Sequence, residues 1–227
     1  MCTSGDVVLT TEQAANAATI AAVGKRLGVP NHGVTIALAT AFQESGLRNL
    51  DYGDRDSLGL FQQRPSQGWG TATDVQTPRL AAAAFYRHLL RVSGWTSMSV
   101  TAAAQAVQHS GAPDAYSQWE DASRTLASAL TGEVKAGLAC HFDPAPAPSP
   151  SAARVLGDRL RAQAVQELGP GGLDRARLPS RAWATASWLV AQSRAHGLRR
   201  ISMAGQTWQA ARGSWQPDPH ATALTWS

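Results

Sequence analysis

Apolar side chains occupy almost every position from 34 to 42 (VTIALATAF), a pattern typical of a helix that is buried on all sides. Glu44 falls in the last turn expected for this helix, and Gly46 just beyond it suits a left-handed helix end. A carboxyl group at the negative end of a helix dipole, beside an apolar core, holds its proton more tightly than one in water. The pattern therefore predicts a carboxylic acid that stays protonated near neutral pH.

The remaining periodicity up to residue 142 is also helical. Thr10 and Gln13 fit a capping box that opens an alanine-rich helix ending near Gly28. The segment 49–56 (NLDYGDRD) is rich in turn formers and predicts a loop after the buried helix. No strand pattern of any length occurs in this part, so a mainly α domain is predicted over 1–142. Its further helices are expected at about 77–92, 100–108 and 113–130.

A proline-alternating stretch at 143–151 (DPAPAPSPS) is typical of an extended, semi-rigid linker and predicts a domain boundary. Beyond it the pattern changes to two helices followed by short strands, with Ala204-Gly205 as a hairpin turn. A small α+β domain is therefore predicted over 152–227. Its helices are expected at 152–168 and 181–196, and its strands at 198–203, 206–209 and 222–226.

Positive charge is concentrated in the second of these domains. Residues 1–142 contain 10 Lys and Arg against 11 Asp and Glu, whereas residues 152–227 contain 10 Arg against 4 acidic residues. Such a domain either attracts polyanions, such as anionic wall polymers, or presents a solvated arginine-rich face. No recognised nucleic-acid-binding motif is present, so a specific nucleic acid is not expected as a partner.

The two cysteines, Cys2 and Cys140, bracket the first domain. They are interpreted as a disulfide that joins the ends of that domain, with two unrelated thiols as the alternative. A disulfide indicates an oxidising compartment, so a secreted or wall-associated protein is expected. The first residues lack the basic and apolar regions of a signal peptide, which is therefore expected to be absent from this sequence. No run of 18 apolar residues occurs, and no membrane span is expected.

Two short motifs resemble those of a known enzyme family. Glu44-Ser45, followed by the segment 59–65 (GLFQQRP), is similar to the Glu-Ser and Gly-Leu-x-Gln-x-x-Pro signatures of soluble lytic transglycosylases, relatives of goose-type lysozyme. The longer segment 39–70 also resembles uncharacterised secreted actinobacterial proteins with lysozyme-like domains. The resemblance covers about residues 10–131 and does not reach the C-terminal domain. It implies a lysozyme-like fold for the helical domain.

The resemblance also implies roles for individual residues. Glu44 matches the catalytic acid/base of the family, and Ser45 matches the neighbouring hydroxyl that orients the carboxyl or the sugar. Gly59 and Gln62 match the cleft wall, where the glycine lets a glycan approach the backbone and the glutamine hydrogen-bonds it. The family's third signature, an aromatic residue followed by asparagine, is represented at Tyr116, with a serine in place of the asparagine.

Aromatic and acidic side chains near these motifs supply further candidates. Trp69 and Tyr116 are expected either to stack on sugar faces or to belong to the core. Asp51, Asp54 and Asp56 are candidates for the second carboxylate that a glycoside hydrolase needs, although their segment is also ordinary turn chemistry. An enzyme that resembles lytic transglycosylases needs one carboxyl, because the 6-hydroxyl of the sugar itself attacks.

No metal or cofactor is expected. The acidic segment 51–62 has its glycine at the third position and no glutamate at the twelfth, so it is not an EF-hand loop. The six histidines are scattered singly, without the spacing of metal ligands, and no dinucleotide- or phosphate-binding loop is present.

These features together predict an enzyme that cleaves the glycan strands of peptidoglycan, with anionic wall polymers as partners of the C-terminal domain. The alternative is a non-catalytic protein that binds peptidoglycan or a wall-synthesis partner on the same lysozyme-like fold.

Overall fold

The computed structural model describes residues 1–173 and 182–227. The chain forms two compact units, one made of Thr19–Ala127 and the other of Met1–Ala18 together with Ser128–Ser227. The described chain is mainly helical and ends in a small antiparallel sheet, so the predicted fold class is confirmed at this coarse level. None of the helices in the described ranges combines the length and the apolar character needed to cross a membrane.

Helices account for most of the regular structure. The α-helices are α1 (Thr11–Arg26), α2 (Asn31–Ser45), α3 (Ala72–Val75), α4 (Pro78–Leu89), α5 (Val100–Gln108), α6 (Glu120–Leu130), α7 (Pro150–Leu168) and α8 (Ala182–His196). Short 3-10 helices lie at Pro65–Gln67, Trp95–Ser97 and Pro113–Trp119. The helix predicted over 113–130 is therefore divided into a 3-10 segment and α6. The first residue of the helix predicted over 181–196 lies outside the described residues.

The buried helix predicted from the apolar run is α2. All ten residues from Gly33 to Phe42 are buried, as the absence of a polar face requires. Gly46 ends the helix in the left-handed conformation, with φ of 61°. The N–H groups of Gly46 and Leu47 bond back to carbonyls in the last turn, which satisfies acceptors that have no partner further along the helix. This end places Glu44 in the last turn of α2.

A three-stranded antiparallel sheet ties the N-terminus to residues 139–140. Its strands are β1 (Cys2–Ser4), β2 (Val7–Leu9) and β3 (Ala139–Cys140), in the order β2-β1-β3. The prediction that 1–142 contains no strand is wrong, because strands of two or three residues are too short to show an alternating pattern. Cys2 pairs in register with Cys140, and the disulfide predicted between them is confirmed.

The C-terminal sheet has four antiparallel strands in the order β6-β5-β4-β7. They are β4 (Arg200–Met203), β5 (Gln206–Gln209), β6 (Ser214–Pro217) and β7 (Thr225–Trp226). The hairpin between β4 and β5 turns at Ala204 and Gly205, both at positive φ, as predicted. Strand β6 was not predicted, since it is a short edge strand that ends in a proline.

Residues 138–140 belong to the same compact unit as the C-terminal sheet. The indole Nε1 of Trp208 donates to the carbonyl of Cys140 at 3.0 Å, and that of Trp215 donates to the carbonyl of Leu138 at 2.9 Å. Trp208 is fully buried. Independent domains at 1–142 and 152–227, joined by 143–151, stay a prediction.

Candidate functional site

Glu44 is held by a residue from a distant part of the Thr19–Ala127 unit. The carboxyl is half-buried at the end of α2, and its Oε1 accepts a 2.8 Å hydrogen bond from the hydroxyl of Tyr116. Burial raises the pKa of Glu44, while hydrogen bonds from Tyr116 and Gln108 oppose that rise without cancelling it. Glu44 is therefore a carboxyl group whose environment favours the protonated form.

Gln108, the last residue of α5, forms another side of the site. Its Nε2 donates to the carbonyl of Phe61 at 2.8 Å, and its side chain also bonds to the Glu44 carboxyl. His109 ends α5 in the left-handed conformation, with φ of 50°, so the helix stops where its last side chain meets the site. Nothing in the sequence singled out Gln108, because glutamine is common in helices and its partners are far away along the chain.

The 3-10 helix that carries Tyr116 is fixed to the end of α2 by a second set of contacts. Gln43 Oε1 accepts hydrogen bonds from Trp119 Nε1 at 2.9 Å and from Gln118 Nε2 at 3.1 Å. The rings of Phe42 and Trp119 stack with their centroids 5.1 Å apart. Contacts from the residues just before Glu44 and from Glu44 itself thus hold the 3-10 helix in place.

Ser45 is buried, and its hydroxyl faces backbone carbonyls. Its Oγ lies 2.8 Å from the carbonyl oxygen of Leu60 and 3.0 Å from that of Ala41, one turn earlier in α2. The contact with Leu60 joins the end of α2 to the loop that contains the second sequence motif. In this arrangement Ser45 positions the loop, and its predicted contact with the carboxyl or a sugar stays a prediction.

Gly59 and Gln62 shape that loop. Gly59 has φ of +77°, and a Cβ atom there would lie 2.0 Å from the carbonyl oxygen of Val75, so only glycine fits. Gln62 is half-buried, and its Nε2 lies 3.3 Å from the carbonyl oxygens of Tyr52 and Gly59. Both residues therefore stabilise the loop itself, and their predicted contacts with glycan stay predictions.

The three candidate aspartates differ in their surroundings. Asp51 and Asp54 are exposed, and the nearest cation to Asp54, Arg55 Nε, is 3.9 Å away with both side chains largely in solvent. Asp56 accepts hydrogen bonds from Arg64 Nε at 2.7 Å on one oxygen and from the backbone N–H of Ser66 at 2.8 Å on the other. These bonds hold the pKa of Asp56 well below its usual range. Asp56 is thus an ionised residue that fixes the loop.

Trp69 lies on the wall of a cavity of about 400 Å³, lined by Gln67, Trp69, His88, Ala106, Val107, Gln108 and His109. The indole of Trp69 stacks on the imidazole of His88, with ring centroids 4.0 Å apart and planes 20° from parallel. Burial and the neighbouring Arg91 and Arg87 lower the pKa of His88, so its ring is neutral near pH 7. Gln108 belongs both to this cavity and to the Glu44 site.

Tyr116 is fully buried, so it does not offer a ring face for stacking on a sugar. Of the two alternatives predicted for it, the core position is the one observed, and its hydroxyl provides a function that neither alternative included. Within the two described ranges, no group of three His, Cys, Asp or Glu side chains is arranged to hold a metal ion.

The interpretation of Glu44 rests on this geometry and on the two sequence motifs. No protein-family model matches the chain, and no curated protein matches it either.

Proposed function

We propose that the protein cleaves the glycan strands of peptidoglycan on a lysozyme-like helical frame, with Glu44 as general acid and base. The observation that carries the proposal is the half-buried carboxyl of Glu44, with its raised pKa and its hydrogen bond from Tyr116. Cleavage of a glycosidic bond needs an acid that is protonated near neutral pH, because the leaving oxygen takes up a proton as it departs.

The proposed reaction uses one carboxyl. Glu44 gives its proton to the glycosidic oxygen between N-acetylmuramic acid and N-acetylglucosamine, and the C1–O bond of the muramic acid breaks. The 6-hydroxyl of the same muramic acid then attacks C1, and its proton passes to the Glu44 carboxylate. The products are a strand with a new free 4-hydroxyl and a strand with a 1,6-anhydro end. No water is consumed, and the protonated acid is restored.

Tyr116 and Gln108 suit both halves of this cycle. Burial favours the protonated form of Glu44 before bond cleavage, and the two hydrogen-bond donors stabilise the carboxylate that forms afterwards. Because Oε1 is the acceptor for Tyr116, the proton of the neutral acid belongs on Oε2. A group that must give up and regain a proton works best when its two forms are close in free energy.

The surroundings of the aspartates favour this one-carboxyl reaction over hydrolysis by two carboxylates. Both oxygens of Asp56 are occupied by Arg64 and Ser66, and Asp51 and Asp54 are exposed to water. A second catalytic carboxylate would have to be both free and held beside the scissile bond, and neither the occupied Asp56 nor side chains in open solvent meet both conditions. The anhydro product is therefore the expected one.

Zymography on purified peptidoglycan tests the proposal. The wild-type protein should clear the substrate, and Glu44→Gln should not, because the amide keeps the size of the side chain and has no acidic proton. Glu12→Gln, an exposed glutamate in the first turn of α1, is the matched control and should clear it normally. Mass spectrometry should then find strand ends lighter by one water than hydrolysis would give. Clearing by Glu44→Gln at the wild-type rate would contradict the proposal.

A second candidate function is a protein that grips peptidoglycan or a wall-synthesis partner without cutting it. The observation in its favour is Ser117, which stands where the family has asparagine. Ser117 is exposed, and its hydroxyl donates to the carbonyl of Asp114 at 2.8 Å, so it supplies no amide to a sugar. In this case both wild type and Glu44→Gln would bind peptidoglycan, and neither would clear it.

The proposed place of action is outside the cytoplasm, secreted or associated with the wall. The disulfide between Cys2 and Cys140 supports this proposal, because disulfides persist in oxidising compartments. The excess of arginine in 152–227 supports anionic wall polymers as an additional partner. Binding to such polymers should weaken steeply with salt.

A further inference from the structure

A second cavity, of about 260 Å³, lies between the proline-rich segment 143–148 and the end of α8, within the unit that contains the C-terminal sheet. Its wall is mainly apolar and includes Phe142, Pro144, Pro146, Pro148, Leu156 and Leu198. Because proline fixes its own φ, this wall loses little freedom when a ligand binds. The small volume limits the occupant to a small molecule or to the end of a larger one.

Two arginines give this apolar cavity a positive charge. Arg194 lies in the last turn of α8, and its exposed guanidinium is 5.9 Å from the centre of the Phe142 ring. Arg199 is half-buried, and its Nη2 donates to the carbonyl of Ala145. In the described part of the chain, neither arginine forms an ion pair. A guanidinium has five N–H donors, so both side chains keep donors for an anion.

The balance of charge around the cavity selects an anion with a single charge. Asp143 also belongs to the lining, so two positive charges face one negative charge. A ligand with one negative charge makes this set neutral, whereas a doubly charged one would be repelled by Asp143. A carboxylate fits best, because its two oxygens match the planar fork of a guanidinium.

Asp143 also favours a ligand that carries an N–H group. A carboxylate side chain only accepts hydrogen bonds, so it is matched by a donor on the ligand. The C-terminus of a peptide combines a carboxylate, an amide N–H and a small apolar side chain within a few atoms. A simple fatty acid has no N–H group for Asp143, and a glycerol phosphate polymer has a hydroxylated body that the apolar wall does not match.

We propose that this cavity binds the C-terminal carboxylate of a short peptide with small apolar side chains. The carboxylate bonds to Arg194 and Arg199, the amide N–H faces Asp143, and the side chains pack on the proline wall. This binding does not depend on cleavage by Glu44. The stem peptides of peptidoglycan are a source of such an end, and this choice of source alone rests on the proposed function.

NMR titration of the isotope-labelled full chain at low salt tests the site, with acetyl-alanyl-alanine as the probe in its L,L and D,D forms. The backbone amide signals of Leu198 and Arg199 should shift to saturation. The same peptide with an amidated C-terminus should bind about tenfold more weakly, because it lacks the charge that the guanidinium groups pair with. Binding of the L,L form alone would support the site and exclude stem peptides as its source.

Arg194→Ala should raise the Kd of the peptide about tenfold, since hydrogen bonds between charged groups are the stronger ones. Arg194→Lys keeps the charge but loses the planar fork, so its Kd should rise only about threefold. Arg212→Ala is the matched control. It removes an exposed arginine of the same unit that does not line the cavity, and it should leave the Kd unchanged.

A second variant removes the other positive charge. Arg199→Gln keeps a side-chain amide that can still donate to the carbonyl of Ala145, so the proline-rich wall stays attached. Its Kd should rise about fivefold or more. Unchanged affinity in both folded variants, Arg194→Ala and Arg199→Gln, would overturn the proposal.

Further probes separate the peptide from other anions. Pentanoate that binds as tightly as the peptide would assign the cavity to simple apolar acids and overturn the peptide. Glycerol phosphate that binds more tightly than the peptide would do the same in favour of wall polymers. Each of these results leaves the proposed reaction intact, because zymography with Glu44→Gln tests that reaction separately. Peptide binding by a protein that cleaves nothing would still support the site.

Discussion

The hydroxyl of Tyr116 and the carboxyl of Glu44 form a 2.8 Å hydrogen bond across 72 residues of sequence. Tyr116 is fully buried, and its own pKa is raised by burial and by the neighbouring carboxyl, so it remains a donor at all ordinary pH values. A permanent donor at Oε1 limits how far burial can raise the pKa of Glu44. The balance between these two effects sets the pH range in which the proposed acid is protonated.

Tyr116→Phe should shift the pH profile of cleavage toward alkaline pH. Loss of the hydrogen bond to the carboxylate leaves the effect of burial less opposed, so the pKa of Glu44 rises further and the acid stays protonated to higher pH. The rate at the optimum should fall about tenfold, because a hydrogen bond worth about 1.5 kcal/mol no longer stabilises the carboxylate. Turbidity assays of peptidoglycan across pH measure both effects. An alkaline limb that stays in place would show that Tyr116 does not act on Glu44.

Glu44→Gln should make the protein more stable at neutral pH. The pKa of Glu44 is higher in the folded state than in the unfolded state, so the unfolded state loses its proton first as pH rises and the folded state is penalised above that point. The gain should be present at pH 7, where the unfolded state is ionised and the folded state carries the cost of a buried carboxylate. Below about pH 4 the difference should disappear. Denaturant unfolding at several pH values checks this, and a gain that is independent of pH would contradict it.

Gly59→Ala should destabilise the protein by about 3 kcal/mol. The change adds the cost of a positive φ, about 1–2 kcal/mol, to a clash with the carbonyl oxygen of Val75. Gly68→Ala is the matched control, because Gly68 has a similar φ of +81° and no atom within 4 Å of its added Cβ. Thermal and denaturant unfolding should give a loss of only about 1 kcal/mol for the control. Equal losses for the two variants would mean that the backbone at Val75 moves and relieves the clash with the added methyl group.

Asp51→Asn combined with Asp54→Asn should leave cleavage within about twofold of wild type, since surface charges in solvent contribute little to a buried acid. Loss of cleavage in the folded double variant would favour a two-carboxylate hydrolase.

Asp56→Asn should lower the thermal midpoint at pH 7 while cleavage by the folded protein persists. The pKa of Asp56 is lowered in the folded state, so its stabilising effect is present above about pH 4 and is lost as pH falls toward the folded-state pKa.

Replacing Cys2 and Cys140 by serine should lower the free energy of unfolding by up to about 5 kcal/mol, because the disulfide closes a loop with a sequence separation of 138 residues. Unfolding by urea, with and without reductant, measures the loss. Reductant should reproduce the loss in wild type and have no effect on the double serine variant. A wild-type protein that is indifferent to reductant would contradict this expectation.

The sequence predicts the local parts of this site well and its long-range contacts poorly. The apolar run and Gly46 are sufficient to predict α2 and the place of Glu44 in its last turn, since both follow from neighbours along the chain. The donors to Glu44, Tyr116 and Gln108, come from segments more than 60 residues away, and no periodicity or cap signals such a contact. The sequence predicts Tyr116 either for sugar stacking or for the core. Only the structure shows that its hydroxyl donates to the carboxyl of Glu44.

Residues that the sequence motifs suggest for substrate contact also hold the loop itself. Gly59 is required by the approach of Val75, and the hydroxyl of Ser45 bonds to the carbonyl of Leu60. A motif marks residues that must keep their identity, and a close backbone contact imposes that requirement as strictly as a ligand does. The short strands β1, β2 and β3 escaped prediction for a different reason, because two or three residues are too few to show an alternating pattern, and β3 pairs with a distant segment, β1.

The bond between Ser45 and Leu60 constrains how the proposed cleft can open. The loop that follows α2 is attached to the same helix turn that carries the acid, so it cannot swing outward as a lid unless that bond breaks. Room for a polymer at this edge must therefore exist without an outward movement of that loop. Any shift of this loop that leaves the bond intact would carry the last turn of α2, and with it the acid, in the same direction.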